Sequence, residues 1–300
     1  GGWDYIAVND KKVYASHGTQ VNILDKENGD SLGFIPNTTG VHGIAFDNAL
    51  GRGYTSNGRL NSVTVFDLKT NAAITQIQTG RNPDAIMYEP FTKTIITNNG
   101  GSKTLSIIDP EKNMTIDSVD LGGKPEEAVS NAKGKLYVNL EDKNEIAVVD
   151  LKTYKVIARW SLLPGEGPSG LAIDNKTNRL FSACSDSKLL VVMDASNGKI
   201  IDKLPIGEGC DGIAFNANTN MIFVPNGRDV TIPTYKVESA DKYKSLGYIE
   251  TKFVPRPITI LKKSHELFLS SPDLAPEAPQ PHKTKRQILT GTVPVTNIHL

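Results

Sequence analysis

Val63-Thr64-Val65-Phe66-Asp67 is one copy of a five-residue segment that recurs along the chain and always closes with aspartate. The other copies span residues 21–25, 105–109, 146–150 and 190–194. The successive closing aspartates are 42, 42, 41 and 44 residues apart. A fixed period in this range is the signature of a repeat architecture, and a strand in every unit indicates a β-propeller rather than a helical solenoid.

Each repeat contains three further strand-like segments around this aspartate-closed strand, which we label C. Strand A is short, small and apolar, strand B carries an aromatic or isoleucine and ends in a polar residue, and strand D is the more polar outer strand. Turn-forming residues separate A from B and C from D, as in Ser196-Asn197-Gly198. Four-stranded antiparallel meanders repeated radially make a propeller. The sequence therefore predicts an all-β, seven-bladed β-propeller that forms a single domain over residues 1–300.

Composition and charge give no support for nucleic-acid binding, membrane association or a recognisable cofactor site. The 300 residues are 38% apolar and 22% charged, with 33 basic and 33 acidic residues. Zero formal net charge gives no global field that favours nucleic acid or an anionic membrane. No apolar run reaches the roughly 18 residues of a spanning helix, and no haem-attachment or phosphate-loop motif occurs. We expect a monomer with no nucleic-acid partner and no membrane span.

The strand-B segment Tyr54-Thr55-Ser56-Asn57, echoed by Ile95-Ile96-Thr97-Asn98, resembles the motif of the YVTN-repeat family of β-propellers. The resemblance covers nearly the whole chain. Members of that family include surface-layer-like and lactonase-like propellers and are mostly exported bacterial or archaeal proteins. The resemblance implies a periplasmic, secreted or cell-surface location in a bacterial setting, but no particular reaction, because propellers host unrelated functions.

Two repeats depart from the pattern. In blade 6, Ile232-Pro233-Thr234 replaces the aspartate-closed strand, and we expect the proline to interrupt its pairing. Blade 7 is irregular, because a Pro-rich insertion over residues 272–287 separates its strands. We expect either a closing strand upstream of Gly1 or an exposed three-stranded edge in blade 7.

Polar residues at equivalent strand ends predict a functional face. In an antiparallel blade, the start of strand A and the end of strand B lie together. The residues that open strand A should ring one mouth of the axial channel: Asp4, His42, Asp84, Glu126, Ser169, Asp211 and Arg256. Residues that end strand B should form a second tier: His17, Asn57, Asn98, Asn139 or Glu141, Cys184, Asn226 and Ser271. We predict that this polar mouth binds a small molecule or a partner protein.

An alternative function uses the same mouth. His42, Asp84, Glu126 and Asp211 are candidate ligands for Ca²⁺ or Mg²⁺, since hard cations take oxygen ligands. A bound ion would support hydrolase or lyase chemistry of the lactonase type, although no residue is assigned as catalytic. Equally, the strand-opening aspartates and the strand-ending asparagines suit structural roles in turns.

Cys184 and Cys210 lie 26 positions apart, at the end of strand B in blade 5 and just before strand A in blade 6. These points are adjacent in the predicted ring. In an exported protein, that adjacency favours a disulfide that joins the two blades.

Overall fold

The structure is a computed structural model that describes residues 3–251 and the backbone of three further strands at 258–261, 266–270 and 295–298. These residues form 27 β-strands in seven sheets. Six sheets have four strands in simple meander order and one has three. Within the described residues there are two short 3₁₀ helices, Gly58–Leu60 and Glu141–Lys143, and no α-helix. The predicted all-β fold is confirmed.

The strands follow one another in chain order, from the inner strand A to the outer strand D of each blade. Blades 1 and 2 comprise β1 (Trp3–Asn9), β2 (Lys12–His17), β3 (Gln20–Asp25), β4 (Ser31–Ile35), β5 (Val41–Asp47), β6 (Arg52–Asn57), β7 (Ser62–Asp67) and β8 (Ala73–Gln78). Blades 3 and 4 comprise β9 (Pro83–Glu89), β10 (Thr94–Asn99), β11 (Thr104–Asp109), β12 (Met114–Asp120), β13 (Pro125–Ser130), β14 (Lys135–Leu140), β15 (Glu145–Asp150) and β16 (Lys155–Ser161). Blades 5 to 7 comprise β17 (Pro168–Asp174), β18 (Arg179–Cys184), β19 (Leu189–Asp194), β20 (Ile200–Pro205), β21 (Ala214–Asn216), β22 (Met221–Phe223), β23 (Thr231–Ser239), β24 (Lys242–Glu250), β25 (Ile258–Leu261), β26 (Glu266–Ser270) and β27 (Val295–Ile298).

The inner strands close a ring. Each of β1, β5, β9, β13, β17, β21 and β25 contacts the next, and β25 contacts β1 again. The hydrophobic core lies between adjacent blades, in separate clusters along the ring. The cluster between blades 3 and 4, for example, contains Ile96, Leu105 and Leu136, all fully buried. A seven-bladed propeller is therefore the observed architecture.

The aspartates that mark the repeat each organise a C–D turn. The Asp67 carboxylate accepts hydrogen bonds from the backbone amides of Lys69 and Thr70, at 3.0 and 2.7 Å. Asp109 does the same for Glu111 and Lys112. These donors favour the ionised carboxylate and hold the pKa values of Asp67 and Asp109 below their usual range. Aspartate recurs at this position because its short carboxylate side chain can accept hydrogen bonds from the backbone amides two and three residues further along the chain.

The irregular blades partly match expectation. Pro233 does not end its strand, since β23 runs continuously through it. The ladder between β22 and β23 nevertheless stops at the Phe223–Thr234 pair, next to the proline, and the pairing with β24 shifts register after Pro233. The described strands of blade 7 form a three-stranded sheet. The predicted insertion at 272–287 lies outside the described residues.

The predicted disulfide is wrong, because Cys184 and Cys210 are both free, buried thiols. Cys184 belongs to the hydrophobic cluster between blades 4 and 5, whereas Cys210 belongs to the cluster between blades 5 and 6. Ala183, which precedes Cys184 in β18, packs in the cluster between blades 5 and 6, whereas Cys184 does not. Since side chains alternate along a strand, the last residue of β18 points away from the blade that carries Cys210. Burial raises the pKa of each thiol to about 12.

Candidate functional site

A β-bulge opens the inner strand of five blades at the predicted mouth. In blade 1, Trp3 pairs with His17 and Ile6 with Ala15, so two residues, Asp4 and Tyr5, face the single residue between them on β2. The same irregularity recurs in blades 2 to 5. A bulge interrupts the strict alternation of a strand and redirects side chains. In these five blades, two successive residues of the inner strand therefore lack regular pairing with strand B at this end of the channel.

A side chain from each of four blades bonds to the bulge of the next blade, and we call these bonds clasps. Their donors lie one residue before the end of strand B in blades 1 to 4: Ser16 to the carbonyl of His42, Ser56 to that of Asp84, Asn98 to that of Glu126, and Asn139 to that of Ser169. Ser56 also accepts from the amide of Gly43, in the bulge of its own blade, at 2.8 Å. The clasps satisfy backbone groups that the bulges leave unpaired.

Asp4, His42 and Asp84 meet at the mouth. His42 Nδ1 lies 2.5 Å from Asp4 Oδ2 and 3.8 Å from Asp84 Oδ1, and the three side chains are 27–28% exposed. Burial alone would lower the pKa of His42, but the hydrogen bond to Asp4 and the charges of Asp84 and Asp4 outweigh it and raise the pKa. Burial raises the pKa of Asp84, against the opposing charge of His42. The two carboxyl groups therefore favour the protonated form of the His42 imidazole.

Glu126 lies beside a basic side chain on the same rim. Lys124 Nζ is 2.7 Å from Glu126 Oε1 and also contacts Glu141. Burial raises the pKa of Glu126, with Asp84 adding to the effect and Lys124 opposing it. Lys124 is half-exposed. The rim therefore already accommodates one primary ammonium group between carboxylates.

A cavity of about 210 Å³ lies on the axis within the ring of inner strands. Tyr5, Asn98, Glu127 and Asp211 supply its polar groups, while isoleucine and alanine side chains of several blades supply apolar walls. Glu127 Oε2 accepts a hydrogen bond from the amide of Leu171 at 3.0 Å. Burial nevertheless raises the pKa of Glu127 to about 7, and the charges of Asp211, Glu126 and Asp84 add to the shift. Burial and the neighbouring carboxylates raise the pKa of Tyr5 as well.

The asparagines of the predicted second tier are occupied within the fold. Asn57 and Asn139 are fully buried; Asn57 bonds within its own blade and Asn139 is a clasp donor. Asn98 is also a clasp donor, although it borders the axial cavity. Asn226 is fully buried in blade 6, where its amide nitrogen donates to the Thr231 hydroxyl at 3.5 Å while its oxygen has no partner among the described residues. Their amides therefore serve the structure, because the register places them between strands rather than at the open mouth.

The remaining predicted residues lie apart from the mouth cluster or outside the described chain. The His17 ring stacks on Trp3 with 4.1 Å between ring centroids. Asp211 is exposed to the channel, between the Cys210–Asn226 bridge and β21. Arg256 lies outside the described residues.

The four predicted metal ligands are not assembled into a metal site. Among the residues that the structure describes, no group of three or more His, Cys, Asp and Glu side chains is arranged to hold a metal ion. His42 is turned to Asp4 and Glu126 to Lys124, while Asp211 belongs to the deeper channel wall. The expected Ca²⁺ or Mg²⁺ ligand set of His42, Asp84, Glu126 and Asp211 therefore does not converge on one point.

Tyr5 and Glu127 are site residues that the pattern of strand-opening residues does not predict. Both follow directly after an opening residue, and both line the cavity. The equivalent position in the other described blades holds glycine or alanine: Gly43, Ala85, Gly170 and Gly212. At Gly170, an added Cβ would lie 2.6 Å from the carbonyl carbon of Gly212, so the axis admits few large side chains. The presence of a large residue at a position that is glycine or alanine in the other described blades is the sequence signal that would have indicated Tyr5 and Glu127.

Asn226 has an unsatisfied carbonyl oxygen, and this leads to a stability prediction. In blade 2, Thr55 donates to the Asn57 carbonyl oxygen at 2.9 Å, but Val224 takes the place of that threonine in blade 6. We expect Val224→Thr to raise the free energy of unfolding by about 1 kcal/mol, because the new hydroxyl gains a buried acceptor. Urea denaturation measures the change.

The matched control for that substitution is Val138→Thr. Val138 holds the same position in blade 4, where Leu140 replaces the asparagine. The added hydroxyl finds no amide there, so we expect a loss of about 1–2 kcal/mol. Equal destabilisation by both threonines would show that the Asn226 oxygen does not accept the bond.

Comparison with known proteins supports the architecture. Residues 43–270 match the profile of the family described as YNCE-like beta-propeller. The hydrazine synthase of Kuenenia stuttgartiensis superposes with a TM-score of 0.71 at 13% identity, covering 86% of this chain and 89% of that chain. The WD40 beta propeller domain of Doa1 gives a TM-score of 0.72 at 17% identity, covering 88% and 86%. At such low identity these two similarities establish the fold alone.

Curated proteins offer no match to this chain. In the described part of the chain, neither short helix has the length and apolar character needed to cross a bilayer.

Proposed function

Because the chain belongs to the YNCE-like β-propeller family, we propose that it is a binding scaffold whose channel mouth holds a small molecule or a single side chain of a partner protein. A β-propeller fold supports a scaffold or interaction role in general. The observation that carries the more specific proposal is the axial cavity beneath a rim of partly exposed charged groups. Concave sites with a few convergent polar groups are the usual ligand sites of proteins.

Carboxyl groups at the rim and in the cavity lie in surroundings that disfavour their ionised forms. Asp84 and Glu127 both have raised pKa values because the ring buries them near other carboxyl groups. Strongly perturbed ionisable groups in a cleft are typical of functional sites. The alternative of a metal-dependent hydrolase has less support, because its expected ligands do not converge. We therefore propose binding without chemistry.

An extracytoplasmic location remains part of this proposal and rests on the resemblance to exported YVTN-repeat propellers. Cell fractionation of the producing organism, with detection by an antibody to this chain, tests it. We expect the protein in the periplasmic, surface or secreted fraction. Recovery with cytosolic markers would refute the location without affecting the binding proposal.

Ligand-observed NMR with a fragment library tests the binding proposal. The library contains amines, amino acids, carboxylic acids, sugars and neutral alcohols, and it is applied to the wild type and to Glu126→Gln. We expect a set of fragments that compete for one site and bind more weakly to the variant. Glu111→Gln is the control, since it removes the same charge at an exposed turn position. Binding that is unaltered by Glu126→Gln, or the lack of any competing set, would contradict the proposal.

A further inference from the structure

The axial cavity inside the channel limits the kind of ligand more narrowly than the rim does. Its cavity of about 210 Å³ is smaller than the roughly 300–1,000 Å³ of pockets for drug-sized ligands. It suits a short molecule or the end of one side chain. The cavity lies on the axis, and in blades 1, 3, 4 and 6 a residue that lines it follows the strand-opening residue by one position, as Tyr5 follows Asp4. A ligand that enters the mouth therefore reaches this cavity directly.

The charge of the cavity excludes anions. Glu127 of blade 4 and Asp211 of blade 6 both line it, and the charges of Asp84 and Glu126 also act on Glu127. No basic side chain of the described residues lies within ion-pair distance of Glu127, whereas Glu126 has Lys124 at 2.7 Å. The ionised form of a buried carboxyl group such as Glu127 is costly without a cation, and either protonation or a bound cation relieves this cost.

The apolar and aromatic residues of the cavity lining indicate which kind of cation would fit. Ile44, Ile86 and Ile213 give the cavity apolar sides, which suit an alkyl chain. Tyr5 also faces the cavity, and its hydroxyl makes no hydrogen bond to another described residue. A tyrosine hydroxyl accepts from an N–H donor, and its ring attracts a cation placed over its face. A bare divalent ion needs several oxygen ligands, which are not gathered here.

We propose that the axial cavity binds a primary alkylammonium group, with the ammonium at Glu127 and Tyr5 and the alkyl chain against the isoleucine walls. The proposal rests on the proposed binding function and specifies its ligand class. The chemistry is shared by a free aliphatic amine and by a lysine side chain of a partner. Lys124 of this chain shows the same pairing at the rim, where its ammonium lies between Glu126 and Glu141.

Isothermal titration calorimetry with matched four-carbon probes tests the proposal in phosphate buffer at pH 8. The probes are butylamine, 1,4-diaminobutane, butyrate and 1-butanol, and the peptide acetyl-Gly-Lys-Gly-amide represents a lysine side chain. We expect the amines to bind and butyrate and butanol not to bind. A peptide that binds more tightly than butylamine indicates a protein partner, and the reverse order indicates a free amine.

Two variants locate the ammonium group. Glu127→Gln keeps an acceptor for the Leu171 amide but removes the charge, and we expect roughly a thirtyfold loss of amine affinity. Tyr5→Phe removes only the hydroxyl, and we expect a loss of roughly fivefold. Glu111→Gln is expected to leave affinity unchanged. Unaltered amine affinity in Glu127→Gln would overturn the proposal.

The pH dependence gives an independent readout. Asp84, Glu126, Asp211 and Tyr5 are the ionisable groups that act on Glu127 or line the cavity with it. Since the pKa of Glu127 is about 7, amine affinity is expected to rise between pH 6 and pH 8 and to lose most of this rise in Glu127→Gln. Binding that is independent of pH in the wild type would contradict the role of Glu127.

The failure of this inference is distinguishable from failure of the binding function. If butyrate or butanol binds in competition with the library fragments while no amine does, the ligand class is wrong and the binding function stands. If neither the probes nor the library binds at the channel, both proposals fail.

Discussion

Replacing Glu127 with glutamine is expected to stabilise the protein at pH 8 by about 2–3 kcal/mol and to change its stability little at pH 4.5. The folded state raises the pKa of this carboxyl group from 4.5 to about 7. A raised pKa means that the fold favours the protonated form. Its contribution to stability is therefore present below pH 4.5 and is lost as the pH rises through 7. Glutamine removes the ionisation and keeps an acceptor for Leu171.

Urea denaturation in amine-free buffer at pH 4.5, 6 and 8 measures this effect. Glu111→Gln is again the control, because that exposed turn position has no buried charge to relieve, and we expect flat differences across the three pH values. If Glu127→Gln changed the stability equally at pH 4.5 and pH 8, the pKa of Glu127 would be the same in the folded and unfolded states, and the raised pKa would be contradicted. A stabilising substitution at a channel residue would fit the idea that the wild type retains this carboxylate for binding.

The second large effect is expected in blade 2, where Gly53 and Phe66 form a complementary cross-strand pair. A Cβ at Gly53 would lie 2.0 Å from Phe66 Cζ, because the fully buried ring fills the space above the glycine. The equivalent pair in blade 3 is Ile95 and Ile108. We expect Phe66→Ala to lose about 3–5 kcal/mol through the cavity it leaves. We expect Gly53→Ile to lose at least about 2 kcal/mol through overpacking.

The double variant Gly53→Ile with Phe66→Ile decides whether the two residues compensate. It recreates the blade 3 pair, and we expect its unfolding free energy to lie within about 1 kcal/mol of the wild type. The double-mutant cycle, measured by urea denaturation of the wild type, Gly53→Ile, Phe66→Ile and the double variant, should give a coupling of about 2–3 kcal/mol. Simple additivity of the two single losses would show that the ring does not occupy the space above the glycine.

Features that depend on residues close in sequence were predictable. The closing aspartates of strand C, such as Asp67, bond to amides two and three positions ahead, so their role needs no knowledge of distant contacts. The repeat period then gives the number of strands in each blade and their order. The rim residues follow from the meander alone, since the start of strand A must lie beside the end of strand B. Their chemical role is not tested by the fold and stays a prediction.

Features that depend on register were not predictable. The bulge after Pro125 places both Glu126 and Glu127 at the channel, whereas strict alternation assigns only one of two successive residues to each face. The sequence pattern predicts Asn98 as the end of strand B, but the register gives that place to Asn99 and makes Asn98 a clasp donor. The error over Cys184 has the same origin, because adjacency in the ring does not say which side of β18 the thiol faces.

The clasps all run in one rotational sense, since the side chain belongs to the earlier blade and the carbonyl to the later one. Ser16 reaches from blade 1 to blade 2, and Asn139 from blade 4 to blade 5. Each of these four blades is therefore joined to the next blade by a side-chain hydrogen bond as well as by the connecting peptide. The order of the blades around the ring is thus fixed both by the chain and by these bonds. A blade placed out of order would keep its peptide connections but would not form its clasp.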